Sequence, residues 1–374
     1  MSQKSTSIVV APFCDDPHHL WFSPGRSSKL RQVEHFLAKC SFNLYRVNTC
    51  PLTSDPHSSN TILACTQYNP ILRYLELLRG LPYLFNFFKG KYLSYLWIYN
   101  CRFQESLVSL FILLLLRPRK VCIEIEDFPL ARPQNSGLIG VLDFVSLAFF
   151  SLLASRVYVV NSTVSELMKN CLFCNPSKIR PLYPALTSDY TCSIYRREPP
   201  FTSNHVKILY AGGYGIEKGV YALIHAFLHL NNPSYRLLLA GPAPAGLVQE
   251  FCHIPTVVFL GYLPYKLLCE AYASADIIVS PHDVTNRSSH IFPFKLLEIF
   301  ASGALPLVTP MPGMSIFNIP DCCIFQGQDD LCSKFITAPQ IYASNKELLI
   351  SNARRLSTKF SQEVLLNDFI RSLP

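Results

Sequence analysis

Two stretches of the 374-residue chain concentrate groups able to hold an anion. The first, ILYAGGYGIEKGV at 208–220, reads as a strand, a loop carrying Gly212, Gly213 and Gly215, and a helix that begins near Lys218. Glycines let the backbone approach a ligand closely, and the amides of a helix N-terminus attract negative charge, to which Lys218 adds a point charge. A tight strand-to-helix turn with a solvated lysine has the same composition. The second stretch, HIFPFKLLEIFASGALPLV at 290–308, puts Pro293 at a first helical position and Lys295 and Glu298 within the first two turns. A carboxylate near a helix start accepts two hydrogen bonds at once, which suits a cis-diol; an acid favoured by the helix dipole fits the same position.

The N-terminal half offers fewer such groups. In KVCIEIEDF at 120–128, alternation points Glu124 and Glu126 to one face of a strand, and Asp127 begins the loop that follows. After the first strand, APFCDDPHHLWFSPGR leaves Asp15, Asp16, His18 and His19 on a loop, for a ligand or for solvent, without a defined metal-ligand spacing. Asn161 and Ser162 follow another strand. The 14 cysteines read as reduced structural thiols, since Cys171 and Cys174 form a single CxxC with no second pair at zinc spacing.

The elements that must position these residues alternate regularly. In the second half the apolar runs predict strands at 206–211, 235–240, 257–260, 276–280 and 305–308, with helices at 218–230, 264–274 and 293–302. In the first half they predict strands at 7–11, 42–47, 94–99, 121–126 and 157–160, with helices at 27–39, near 69–80, and at 104–116, 138–154 and 163–170. The predicted fold class is α/β: two doubly wound Rossmann-like domains, 1–190 and 205–344, joined by a linker at 191–204 of Pro, Ser, Thr and Arg composition. Residues 345–374 are expected to form a helix returning to the first domain. Ligands of open α/β sheets bind outside the carboxyl ends of the strands, which predicts a central cleft between the two domains.

A net charge of +8 with 16% charged and 49% hydrophobic residues excludes a disordered chain and a nucleic-acid binder held by dense basic clusters. Mean hydropathy is +0.22, yet the most apolar run, Leu107 to Leu116, is stopped by RPRK at 117–120, well short of the roughly 17–25 residues that span a bilayer. The N-terminus has only a four-residue apolar patch before acids and prolines, so a cytoplasmic chain is expected. Residues 71–99 mix aromatics with Arg73, Arg79, Lys89 and Lys91 against one acid, Glu76. Residues 81–92 hold more aromatics than a solvated connection needs, which fits a helix packed on the first sheet or a peripheral contact with the inner face of a membrane.

In order along the chain, YAGGYGIEKGV, RLLLAGPAP, VVFLGYLPYKLLCEAYASADIIVSPH and FPFKLLEIFASGALPLV resemble the nucleotide-sugar-binding domain of GT-B glycosyltransferases, family 4 in particular. The resemblance implies transfer of a sugar, with retention, from a UDP- or GDP-linked donor to a hydroxyl of a glycan or lipid-linked acceptor, with no metal and no cofactor. In that family two glutamates with seven residues between them contact the donor sugar and the ribose; Glu298 matches the second and His290 stands at the first. Lys218 matches the phosphate-binding lysine, and Gly213 occupies the place of its partner arginine, a charge that Lys295 would supply in part. Donor contacts are thus expected from Gly212, Gly213, Gly215, Lys218, Lys295 and Glu298, and catalytic roles for Lys218, His290 and Asp127, the last where relatives often carry a histidine. Asp15, Asp16, His18 and Asp127 are expected on the acceptor side. An epimerase of the same fold, with Asp127 as acid or base, and an inactive binding subunit, favoured by His290 and Gly213, are the alternatives.

Overall fold

A computed structural model describes residues 6–11, 24–40, 42–51, 61–65, 70–126, 128, 138–172, 174–188, 190–191, 199–215, 218–282, 294–311 and 314–374. The chain divides into two compact units: Met1–Ala185 with Leu365–Pro374, and Leu186–Ser289 with Pro293–Val364.

Unit 1 is built on β1 (Thr6–Ala11), β2 (Asn43–Pro51), β3 (Thr61–Cys65), β4 (Leu93–Tyr99), β5 (Lys120–Ile125), β6 (Arg156–Val159) and β7 (Ile179–Pro181). They form one parallel sheet in the order β3-β2-β1-β4-β5-β6-β7. Its first five helices are α1 (Pro24–Lys39), α2 (Pro70–Phe88), α3 (Phe103–Leu116), α4 (Leu138–Leu153) and α5 (Ser162–Leu172). Strands β1 and β4 have helices on both faces, which is why TSIVVA is buried at every position and why both read as continuous apolar runs. The edge strands β3 and β7 escape the sequence reading, because five and three residues with partly exposed positions give no such run. Helix α2 runs on through Pro82 to Phe88, beyond the expected end near residue 80. Leu77, Leu81, Leu84 and Phe88 lie on one buried stripe that holds the helix together, while Pro82 faces solvent.

Unit 2 contains β8 (Val206–Ala211), α6 (Val220–Leu230), β9 (Tyr235–Ala240), α7 (Ala245–Phe251), β10 (Val257–Gly261), α8 (Tyr265–Ser274), β11 (Ile277–Ser280), α9 (Phe294–Ala301), β12 (Leu305–Val308) and α10 (Gly327–Lys359). The sheet is parallel, ordered β10-β9-β8-β11-β12, so the strand order reverses between β8 and β11. The two units share one architecture, the doubly wound α/β layer expected from the alternation.

The last helix, α11 (Gln362–Ser372), is separated from α10 by a break at Phe360–Ser361, where the Leu186 amide donates to the Phe360 carbonyl over 2.8 Å. Residues 345–372 are therefore two helices and not one. From Leu365 onward the chain belongs to unit 1. Phe369, 2% exposed, lies 5.4 Å from the Phe36 ring and 5.6 Å from those of Trp97 and Tyr158. The Tyr95 hydroxyl donates to the Pro374 carbonyl at 3.0 Å and Arg156 Nε to that of Ser372 at 2.9 Å. Among the described residues, no helix is long and apolar enough to cross a membrane.

Truncating Phe369 to alanine empties the space between three aromatic rings and is expected to destabilise unit 1 by about 3–5 kcal/mol. Trp97 carries one of those three rings, so urea unfolding followed by tryptophan fluorescence reads this loss directly; an unchanged midpoint would show that α11 is dispensable there.

Candidate functional site

The reversal between β8 and β11 opens a crevice at the carboxyl ends of these two strands. The loop from Gly212 to Lys218 leaves β8, Pro281 and His282 leave β11, and both meet the N-terminal turn of α6 and the start of α9. Gly219 heads α6 with φ +64, and a Cβ there would lie 1.8 Å from the Pro281 carbonyl oxygen. Only glycine lets the two loops close on one another at this point. The N-cap of α6 is Gly219, which has no side chain to cap the helix, and no described residue caps its first turn, so the amides there are offered to a ligand.

Gly212 is fixed by a different neighbour. A Cβ on it would meet Lys295 Nζ at 2.2 Å and the Tyr210 hydroxyl at 2.8 Å, so the ammonium of Lys295, in the first turn of α9, rests directly over the Gly212 backbone. The Tyr210 hydroxyl donates to the Gly213 carbonyl, and the Lys218 amide donates to the Gly215 carbonyl at 2.9 Å, which sets the curl of the loop. Burial, reinforced by the field of Lys218, lowers the Lys295 ammonium to about 8, with Glu298 opposing.

His282 was quoted in the sequence reading but given no role. Its ring sits in the field of both lysines; burial first, then Lys218 and Lys295, push it down to about 3, so it is neutral at physiological pH. Its Nδ1 is buried without a hydrogen-bond partner, as is the Tyr214 hydroxyl on the glycine loop. The signal that would have found it is positional: it stands second after β11, at the reversal of strand order. Two cations, a run of open amides and two unpartnered polar groups form a pocket of positive potential for an anion with several oxygens.

Glu298 lies on the buried side of α9, 3% exposed. Its Oε1 accepts from the Tyr265 hydroxyl at 3.2 Å, Tyr272 adds a further hydrogen bond, and Tyr190 donates to the Glu298 backbone carbonyl. Burial pushes the carboxyl up to about 7 against the opposing effects of Tyr265, Lys295 and Tyr272. Gly212, Gly213, Gly215, Lys218, Lys295 and Glu298 thus all fall in one region of unit 2. Asp15, Asp16, His18, Asp127 and His290 lie outside the described residues.

In unit 1, Glu124 is 2% exposed, accepts from Trp97 Nε1 at 3.0 Å and pairs with Lys29 at 3.9 Å. Burial raises the carboxyl and lowers Lys29 to about 8, so each partner partly offsets the desolvation of the other. Asn100 and Cys101 follow β4 with φ values of +59 and +41, and Asn100 Oδ1 accepts from the Glu126 amide at 2.7 Å. Two successive left-handed residues without glycine mark a strained turn at the point where strand order reverses in this sheet. Cys171 and Cys174 are free thiols. Among the described residues, no group of three or more His, Cys, Asp or Glu is placed to hold a metal ion.

Residues 205–330 match the family model for glycosyl transferases group 1. No curated protein matches the sequence. Solved structures share the fold along nearly the whole chain. A sucrose-phosphate synthase from Thermosynechococcus elongatus is 18% identical with a TM-score of 0.70 over 98% of both chains. HepE of Anabaena in complex with UDP is 13% identical with a TM-score of 0.70, over 98% of this chain and 99% of its own. WaaG, a glycosyltransferase involved in lipopolysaccharide biosynthesis, is 14% identical with a TM-score of 0.61, over 97% of this chain and 98% of its own. The fold is the GT-B arrangement of two Rossmann-like units.

The Glu298 carboxyl makes a prediction about stability. Its folded value is raised, so between about pH 4.5 and 7 the folded protein keeps a proton that the unfolded chain has released, and stability falls as pH rises through that window. Glu298→Gln removes this contribution, about 3 kcal/mol at full extent. Thermal unfolding should show the variant gaining on the parent from about pH 5 to about pH 8; a constant difference would mean that Glu298 is already ionised in the fold.

Proposed function

We propose that the protein is a glycosyltransferase that moves a sugar from a nucleotide diphosphate donor to a hydroxyl acceptor, with retention of configuration. The observation that carries this reading is the convergence of Lys218, Lys295 and the uncapped N-terminus of α6 on the glycine loop after β8. The family match of residues 205–330 supports it, as do fold relatives, one of them solved with UDP.

The reaction breaks the bond between the sugar's anomeric carbon and the diphosphate, whose oxygens gain negative charge as it departs. Lysine ammonium groups and amides already fixed around them stabilise that charge without reorganising in the transition state. Lys218 and Lys295 supply the charge that a divalent cation supplies elsewhere, so the reading requires no metal and no cofactor. Neutral His282 and the Tyr214 hydroxyl add hydrogen bonds to the same anion. Glu298 exchanges its long bond from Tyr265 for the hydroxyls of the ribose. His290 is assigned to the sugar being transferred, and Asp127, with Asp15, Asp16 and His18, to the acceptor. The base, uridine or guanosine, follows from which diphosphate binds.

Gly213, which brings no charge where the family carries arginine, favours a second reading, a subunit that binds the donor and does not turn it over. Calorimetric titration with uridine and guanosine diphosphates, followed by product analysis with the matching sugar donors, separates the two. Binding without product selects the second, and binding of neither nucleotide removes both.

If Lys218 neutralises the leaving group, Lys218→Ala lowers turnover by roughly 10²–10³ fold with the fold intact; near-native turnover would return it to the solvated surface. Lys295 makes a separate prediction, because the ammonium is held near 8 before the anion arrives. Diphosphate affinity should fall roughly tenfold from about pH 7 to about pH 9 as this proton is lost. Lys295→Met should bind more weakly and lose most of that pH dependence; a variant whose titration still follows the parent would place the titrating group elsewhere.

A further inference from the structure

Helix α4 presents one face on which no described residue packs. Leu138, Val141, Val145, Phe149 and Leu152 recur at helical spacing, and Leu138, Val145 and Leu152 are 75%, 57% and 70% exposed. The only acid of the helix, Asp143, is buried and accepts the Phe103 amide at 2.8 Å. Every exposed residue of this 16-residue helix, about 24 Å long, is therefore apolar, with Ser146 half-buried at the margin. Helix α3 packs beside α4 and α2 beside α3, and the layer continues the surface with Leu114 at 62% and Tyr83 at 61% exposed. An exposed apolar helix face of this length is uncommon on a free protein.

One border of this layer is basic. Because β4 to β7 are parallel, the segments entering them reach the same edge of the sheet. These segments carry Lys89, Lys91, Arg117, Arg119, Lys120 and Lys178 and no acid in residues 89–92, 117–120, 155–156 or 174–178. Lys178 joins the two features, its Nζ donating to the Leu152 carbonyl at the end of α4 over 3.1 Å. Tyr92, 60% exposed, stands on the same edge.

We infer that the α4 face of unit 1, with the basic edge that borders it, docks on an anionic lipid bilayer. An apolar face without polar groups to fix a register suits a fluid apolar phase, and cations with aromatic rings at its margin suit the headgroup layer. Helix α4 is too short to cross the hydrocarbon core, so the protein lies on the surface. This relocates the contact expected for residues 81–92: in α2, Leu81, Leu84 and Phe88 are buried, and only Tyr83 and Phe85 remain for the surface. The inference stands on unit 1 alone and does not depend on the transfer reaction.

The test is sedimentation of the full chain with vesicles of phosphatidylcholine, alone or with about one third phosphatidylglycerol. The parent should pellet with the anionic vesicles and bind the neutral ones at least about tenfold more weakly, and raising salt from about 0.1 M to about 0.5 M should release part of it. Val145→Glu with Phe149→Glu should reduce vesicle binding at least about tenfold, as charges placed in an apolar interface do. Arg117→Glu with Arg119→Glu, at exposed positions outside the core, should do the same on anionic vesicles only. Thermal unfolding shows that both variants are folded. Three results would overturn the inference: a parent that stays in the supernatant with both vesicles, an α4 variant that binds as the parent does, or a parent that self-associates through α4 in velocity sedimentation and loses that association in the variant.

Discussion

The packing of a lysine ammonium on a bare glycine backbone organises unit 2. Lys295 Nζ rests over Gly212 because no Cβ stands there, and this close approach brings α9 against the loop after β8. The field of Lys218 and the ring of His282 meet at the same place. Like charges held together with little water destabilise the fold that holds them, and both groups respond by moving toward their neutral forms. A polyanion reverses that balance, since it restores charge to Lys295 and provides oxygens for the orphaned polar atoms. The free site is strained electrostatically in the direction that binding relieves.

The carboxyl behind the site shows the opposite arrangement. Glu298 is buried among Tyr190, Tyr265 and Tyr272, whose rings also pack the inner side of α9, and its carboxyl is held up by that burial although Lys295 acts on it in the other direction. The rigid tyrosine cluster fixes the helix that carries Lys295 one turn earlier. Positioning the cation and holding the carboxyl are therefore one structural task, performed by residues distant in sequence, from Thr187 through Tyr190 to Tyr272.

Much of this was legible before the coordinates. Strands β8, β9 and β12 fall at the boundaries expected from their apolar runs, because strands covered on both faces need no polar positions. Gly212 and Lys218 could be placed on one loop because a strand, a glycine run and a helix follow in order, although a plain turn shares that composition. What escaped depends on three-dimensional register. Nothing local marks His282 until β11 is paired with β8, Ile277 against Ile208, which brings its loop to the glycines. The tyrosines around Glu298 come from α8 and from the segment after Ala185, neither adjacent in sequence. Short edges such as Ile179–Pro181 lack the length for any period to show.

Helix α11 carries a consequence for biosynthesis. The aromatic wall formed by Trp97, Tyr158 and Phe36 is completed by Phe369, which leaves the ribosome after all of unit 2. The first sheet to be synthesised is thus the last to be sealed. Until residues 365–374 emerge, its central strands carry an uncovered aromatic surface beside a nascent unit 2 that already has its own complete core. A chain interrupted shortly before Leu365 would contain every strand of both sheets and still expose that surface, the kind that chaperones and proteases recognise. Emergence of residues 365–374 then acts as the quality check on the first unit.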